Sequence, residues 1–150
     1  MATFFEFEAD FVTSLRCIPM QVRYKLDTCG IKLKLSDWLQ MTKDEREALL
    51  ELPCTIQTEI EAYREYLQQL ILEKTGTPVG QLPVDAYPAW MDSSTVPVTI
   101  LEKAQELGVN LSLEQWVGLT PLQRFALIKL SRPSHENKNF PNAIAEFHLL

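Results

Sequence analysis

The chain contains an internal repeat, which restricts its possible folds more than any other feature of its sequence. Shifted by 78 residues, residues 18–52 fall on residues 96–130 without a gap. Uncommon residue types coincide at this one offset: Pro19 with Pro97, Gly30 with Gly108, Trp38 with Trp116, and Arg46 with Arg124. Such self-similarity is typical of a repeated supersecondary unit. The alternative is that two amphipathic stretches align by chance.

Both copies carry the same helix signals. Each has Pro at a helix start and Gly eleven residues later at its end, followed by a linker and a short Trp-bearing helix. A capping box then begins a further helix, at Thr42 with Glu45 and at Thr120 with Gln123. The pattern predicts two homologous three-helix units. It also makes Trp38 and Trp116 matched core anchors, because Trp in such a position is more often packed than used as a ligand platform.

Three further segments lie outside the two copies: two connect them and one precedes the first. Residues 55–75 have apolar positions every three or four residues and predict a long amphipathic helix, whereas the strap 76–95 is rich in Pro and Ser. The first 15 residues place Phe4, Phe7, Phe11 and Leu15 at helical spacing and predict a short helix or a docked arm. A membrane-surface anchor is the less favoured alternative, because their polar face is acidic. We therefore predict an all-α protein, a single compact helical domain over residues 1–150.

The composition limits the classes of partner and site that the protein is expected to have. The 150 residues carry 14 Lys and Arg against 20 Asp and Glu, a net charge of −6, which disfavours nucleic acid. The chain has no apolar run of membrane-spanning length and no signal-peptide pattern. Its three cysteines form no Cys-x-x-Cys pair, so we expect free thiols, no metal site and a reducing cytoplasm. Cys54 precedes a predicted helix start, where its pKa could be lowered. The sequence leaves the oligomeric state open.

The sequence contains no recognisable catalytic or cofactor-binding motif, so we expect no enzyme, no catalytic residues and no cofactor. The polar loop 131–140 is the best candidate for partner binding, since loops on a rigid scaffold often carry binding residues. Its alternative role is that of a solvated loop. Trp90 in the strap is a further candidate, because interfaces favour aromatic anchors. The predicted partner-binding residues are Arg132, His135, Asn137, Lys138, Asn139 and Trp90.

Longer runs of sequence carry a family resemblance. They are FEADF (7–11), LRCIP (15–19), KLDTCGIKL (25–33), ELPC (51–54), AYREYLQQL (62–70), LTPLQRFALIKLSR (119–132) and SHENKNF (134–140). In these runs the chain resembles the cyanobacterial nitrate reductase-associated protein family. The resemblance implies a small, non-catalytic cytoplasmic protein needed for the activity of assimilatory nitrate reductase, a ferredoxin-dependent molybdenum and iron–sulfur enzyme. It implies no active-site residues.

Several functions are compatible with these observations. The protein could assist assembly, maturation or activation of nitrate reductase by protein–protein contact. It could instead be a maturation factor that binds the molybdenum cofactor, in which case Arg132, Lys138 and a helix N-terminus would hold the anionic cofactor. A helical adaptor for another partner has the same sequence features as the first hypothesis, and a redox mediator would depend on Cys54.

Overall fold

The computed structural model describes residues 4–8, 15, 17–132 and 138–150, and these residues are mostly helical. The α-helices described are α1 Met20–Cys29, α2 Leu35–Leu39, α3 Lys43–Glu51, α4 Gln57–Thr75, α5 Val98–Glu106, α6 Leu113–Val117, α7 Pro121–Ser131 and α8 Phe140–Glu146. Two strands, β1 Ile31–Lys32 and β2 Gly80–Gln81, and two short 3-10 turns, Glu6–Glu8 and Ala89–Met91, complete the described elements. The predicted helical class is confirmed, with the small sheet as a departure from all-α.

The chain divides into two compact units, Met1–Val84 and Asp85–Leu150. The division lies within the predicted strap 76–95. The single domain over residues 1–150 therefore stays a prediction, and each unit is described by itself. No helix in the described part of the chain is long and apolar enough to cross a membrane.

Near the start of the first unit, the described residues form a docked 3-10 turn, Glu6–Glu8. The Phe5 and Phe7 rings stack with their centroids 5.2 Å apart, and Phe5 is buried. Glu8 is also buried, and its carboxylate accepts hydrogen bonds from the backbone N–H groups of Phe5 and Met20, at 3.1 and 2.8 Å. Because Pro19, the N-cap of α1, makes no side-chain cap bond, Glu8 provides an acceptor at the start of this helix. Phe11 lies outside the described residues.

Helix α1 ends as predicted at Gly30, whose φ of 79° is the left-handed cap conformation. The chain then enters β1, which pairs antiparallel with β2 in the register Ile31–Gln81 and Lys32–Gly80. The sequence predicted a linker after Gly30 and an irregular strap, so the structure differs from the prediction in pairing these two segments as a sheet. It forms because the strap returns against the end of α1, where the backbone N–H of Leu82 donates to the carbonyl of Gly30 at 2.8 Å.

The core of the first unit lies between α1, α3 and α4, where the apolar faces predicted from helical spacing meet. The largest side chains there, Trp38 and Tyr63, are almost fully buried. The two predicted capping boxes of the chain are confirmed. Thr42 accepts from the backbone N–H of Glu45, and Thr120 accepts from that of Gln123, each at 3.2 Å.

The second unit is organised around α7, which packs against α5, α8 and the Ala89–Met91 turn. Helix α7 is buried over most of its length because its residues are apolar nearly all round, as expected for a central helix. Trp116 and Phe125 are fully buried in this unit. The terminal helix α8 begins at the buried Phe140.

Candidate functional site

The structure describes the two ends of the predicted polar loop. Arg132 caps the C-terminus of α7 and is exposed, and Lys138 is exposed on the other side. Asn139 is half-buried, and its side-chain oxygen accepts from the side-chain amide of Asn142 at 3.3 Å. His135 and Asn137 lie outside the described residues. Two exposed cations therefore lie in the described ends of this loop.

Trp90 has an internal structural role. Its ring stacks on the ring of Phe125 with 5.1 Å between centroids and 21° between planes. Its backbone carbonyl accepts a 2.8 Å hydrogen bond from Nε of Arg124. Because the half-buried ring is already packed on one face, Trp90 can contribute only its remaining surface to a partner.

In the first unit, Trp38 and Arg46 form a Trp–Arg pair that fastens the short helix α2. The Trp38 indole N–H donates to the carbonyl of Leu15 at 2.7 Å. The Arg46 guanidinium lies over the indole, 5.7 Å from the ring centroid, and donates to the carbonyls of Leu15, Trp38 and Leu39 at 3.2, 3.0 and 3.1 Å. A single guanidinium thus ties α2 to α3 and to the chain before α1.

The second unit contains the corresponding pair, Trp116 and Arg124. The guanidinium carbon lies 5.9 Å from the indole centroid, and the cation donates to the carbonyls of Trp90 and Trp116 at 2.8 and 3.3 Å. The Trp116 indole N–H donates to the carbonyl of Asp92 at 2.9 Å. The sequence identified these Trp and Arg positions as matched but did not predict that the Arg would bind carbonyls. Its only signal was an Arg eight residues after a buried Trp.

A second polar cluster closes the C-terminal end of α3. The buried Lys25 ammonium donates to the carbonyls of Leu50 and Leu52, each at 2.6 Å, and the Tyr63 hydroxyl donates to that of Leu49 at 2.9 Å. Burial lowers the pKa of Lys25 below its usual value, since desolvation disfavours the charged form. The carbonyls left unpaired by the end of a helix are here satisfied by side chains from α1 and α4.

The two buried thiols, Cys29 and Cys54, lie beside this cluster, and each donates to a backbone carbonyl, Cys29 to that of Leu26 at 3.7 Å and Cys54 to that of Lys25 at 3.8 Å. The neighbouring Cys54 thiol lowers the pKa of Cys29, whereas the Cys29 thiol and burial raise the pKa of Cys54. The expectation that a helix N-terminus would lower the Cys54 pKa is therefore wrong. Helix α4 begins only at Gln57, and the Cys54 thiol is turned inward, 3.8 Å from the carbonyl of Lys25.

All three cysteines are free thiols. Among the described residues, no group of three or more His, Cys, Asp or Glu side chains could hold a metal ion.

A comparison with known protein families identifies the family of this chain. A model of the family described as conserved nitrate reductase-associated protein matches residues 4–147. The chain belongs to this family. No curated protein and no solved structure matches the chain.

The nitrate reductase-associated family model spans both structural units and leaves out only three residues at each end of the chain. The Trp–Arg pairs, the Lys25 cluster and the polar loop therefore all lie inside the matched region. The family description names an association with an enzyme and no reaction.

Proposed function

We propose that this protein is a cytoplasmic, non-catalytic accessory protein of assimilatory, ferredoxin-dependent nitrate reductase. It acts by direct protein–protein contact in assembly, maturation or activation of the molybdenum and iron–sulfur enzyme. The observation that carries the proposal is membership of the nitrate reductase-associated family over nearly the whole chain. The resemblance of the longest sequence runs supports the same partner.

The polar loop 131–140 is one proposed contact. Arg132 and Lys138 offer exposed positive charge on a protein whose net charge is −6, so they would attract an acidic region of the reductase. His135, Asn137 and Asn139 would add hydrogen-bonding groups, and the half-buried side chain of Trp90 would add an apolar contact. Rim charges of this kind mainly affect association rate and its dependence on salt.

The proposal is tested in a deletion strain grown on nitrate and on ammonium, with the reductase polypeptide quantified. We expect poor growth on nitrate alone, with reductase polypeptide present and inactive. Normal growth on both nitrogen sources would refute the link to nitrate assimilation. Reintroducing the Arg132→Gln/Lys138→Gln variant on the same background tests the loop, and we expect it to restore nitrate growth less well than wild type.

Purified components separate direct contact from the alternatives. The protein and purified holo-reductase should form a complex in analytical ultracentrifugation. A protein that binds the isolated molybdenum cofactor at micromolar concentration and does not bind the reductase would be a cofactor-binding maturation factor. One that binds neither would be an adaptor for another partner.

We also propose that the two units descend from one duplicated segment. In its support, the first three α-helices of the first unit begin at residues 20, 35 and 43, and the first three of the second unit begin at 98, 113 and 121. Gly30 and Gly108 both have positive φ, 79° and 74°. A duplication would give the accessory protein two similar helical surfaces, which could then diverge in charge.

A further inference from the structure

Each unit exposes one pair of apolar side chains on its short helix. Leu35 and Leu39 lie four residues apart on α2 and are 51% and 52% exposed. Leu113 and Val117 occupy the positions 78 residues later, on α6, and are 46% and 50% exposed. Side chains four residues apart share one face of a helix. Single exposed apolar residues are ordinary on a protein surface, but here a pair recurs at matched positions.

Only the first of these pairs follows two lysines in sequence, and the one acidic residue of α2, Asp37, accepts a hydrogen bond from the backbone N–H of Lys34 at 3.2 Å. Lys32 and Lys34 are exposed, and within the described residues neither makes an ion pair with a carboxylate. The positions 78 residues later hold Asn110 and Ser112, which are uncharged. We call the set Lys32, Lys34, Leu35 and Leu39 the basic–apolar patch. On a chain with a net charge of −6, this patch has the sign opposite to that of the molecule.

The backbone beneath the basic–apolar patch is held in place from inside. The carbonyl of Leu39 accepts from the Arg46 guanidinium, and so does that of the neighbouring Trp38. Trp38, which follows Leu35 by three residues and immediately precedes Leu39, is fully buried. Because a rigid surface loses little conformational entropy on binding, such support favours a docking role.

We infer that the basic–apolar patch docks an acidic amphipathic segment of the reductase. This inference rests on the proposed association with nitrate reductase. The leucine pair would bury apolar side chains at helical spacing on the partner, as in helix recognition by apolar surfaces. The two lysines would attract carboxylates of the partner, raising the association rate and excluding basic segments. The neutral Leu113–Val117 pair lacks that electrostatic complementarity.

The test measures the affinity of purified holo-reductase for the full-length protein and two matched double variants. Leu35→Ser/Leu39→Ser removes the apolar part of the patch, and Leu113→Ser/Val117→Ser makes the equivalent change on α6. Burying the exposed halves of two leucines corresponds to roughly a 10- to 30-fold change in affinity. We expect the first variant to bind that much more weakly and the second to stay within about twofold of wild type. Circular dichroism establishes that both remain folded.

A third variant, Lys32→Glu/Lys34→Glu, tests the charge and still decides the question if a leucine variant does not fold. We expect a loss of affinity that is largest at low ionic strength, since salt screens exposed charges. Unchanged reductase binding by both patch variants would overturn the docking site while leaving the association intact. No binding by wild type would overturn the association and the docking site together. Self-association of the protein that the patch variants abolish would identify a second copy as the occupant and overturn the inference.

Discussion

Replacing Arg124 with Met tests whether the second Trp–Arg pair holds its unit together. Arg124 is 7% exposed, and the substitution removes its two hydrogen bonds, to the carbonyls of Trp90 and Trp116, while keeping an apolar side chain of similar length. The Trp116 carbonyl keeps a partner, the backbone N–H of Leu119 at 3.2 Å. The Trp90 carbonyl loses the 2.8 Å bond to the guanidinium.

A hydrogen bond from a charged donor contributes about 1.5–3 kcal/mol to stability, and removing the buried cation recovers part of its desolvation cost. We therefore expect Arg124→Met to lower the free energy of unfolding by about 2–3 kcal/mol. For a chain of this length that corresponds to a fall of roughly 5–10 °C in Tm. Urea denaturation followed by circular dichroism measures the change.

Hydrogen exchange locates the change, because local opening raises exchange in the affected segment. We expect faster exchange in Ala89–Met91 and Leu113–Val117, with Leu35–Leu39 unchanged. Arg46→Met is the matched variant, and it should give the reverse pattern, with a smaller loss of about 1–2 kcal/mol because Arg46 is only half-buried. A loss below about 0.5 kcal/mol for Arg124→Met, or equal exchange increases in both short helices, would refute the reasoning.

Three further predictions concern the backbone, the thiols and the response to pH. Gly30→Ala should lower the free energy of unfolding in urea more than Gly108→Ala does. Both glycines have positive φ, but only at Gly30 would an added Cβ clash, 2.7 Å from Cγ2 of Val84 and 3.0 Å from the carbonyl oxygen of Leu82. Equal losses would show that the clash is relieved. A maleimide reagent, followed by mass spectrometry, should label the half-buried Cys17 in the native protein and the buried Cys29 and Cys54 only after unfolding. Labelling of native Cys54 at a rate similar to that of Cys17 would contradict its burial. A hydrogen bond from the Thr42 backbone and the ion pair with Lys74 lower the pKa of Glu45 below 4.5. The stability advantage of wild type over Glu45→Gln in thermal melts should therefore be present above pH 4.5 and disappear as the pH falls through that lowered pKa, and an advantage that persisted in acid would rule out the ion pair as its source.

Local sequence signals predicted much of the secondary structure. The Thr42 and Thr120 capping boxes are confirmed, and Gly30 and Gly76 end their helices in the left-handed conformation expected for C-caps. The amphipathic pattern of residues 55–75 predicted α4, which the structure gives as Gln57–Thr75. These features depend on residues within about four positions of one another, and so a single sequence contains the information they need.

Interactions between distant residues could not be predicted in this way. Glu8 accepts from the start of α1 twelve residues later, Lys25 reaches the carbonyls that end α3, and Arg46 binds the carbonyl of Leu15. In each case the acceptor or donor is a backbone group, which every residue possesses, and so the sequence gives no sign of which residue will be chosen. The sheet between β1 and β2 was missed for a related reason. Residues 31–35 alternate in hydrophobicity, but nothing in the sequence marks residues 80–81 as their pairing partner.

The Trp–Arg pairs suggest why the exposed apolar side chains of α2 can form a binding surface at all. A five-residue helix is too short to be stable alone, because helix formation has a costly nucleus. Helix α2 persists because Trp38 is inserted into the core and Arg46 holds the carbonyls of Trp38 and Leu39. The side chains of its two leucines remain about half-exposed at the surface of their own unit. Because the buried Trp38 anchors α2 from inside, the basic–apolar patch is a preformed surface. Replacing Arg46 should therefore weaken the affinity for the reductase even though the residues of the patch itself are unchanged.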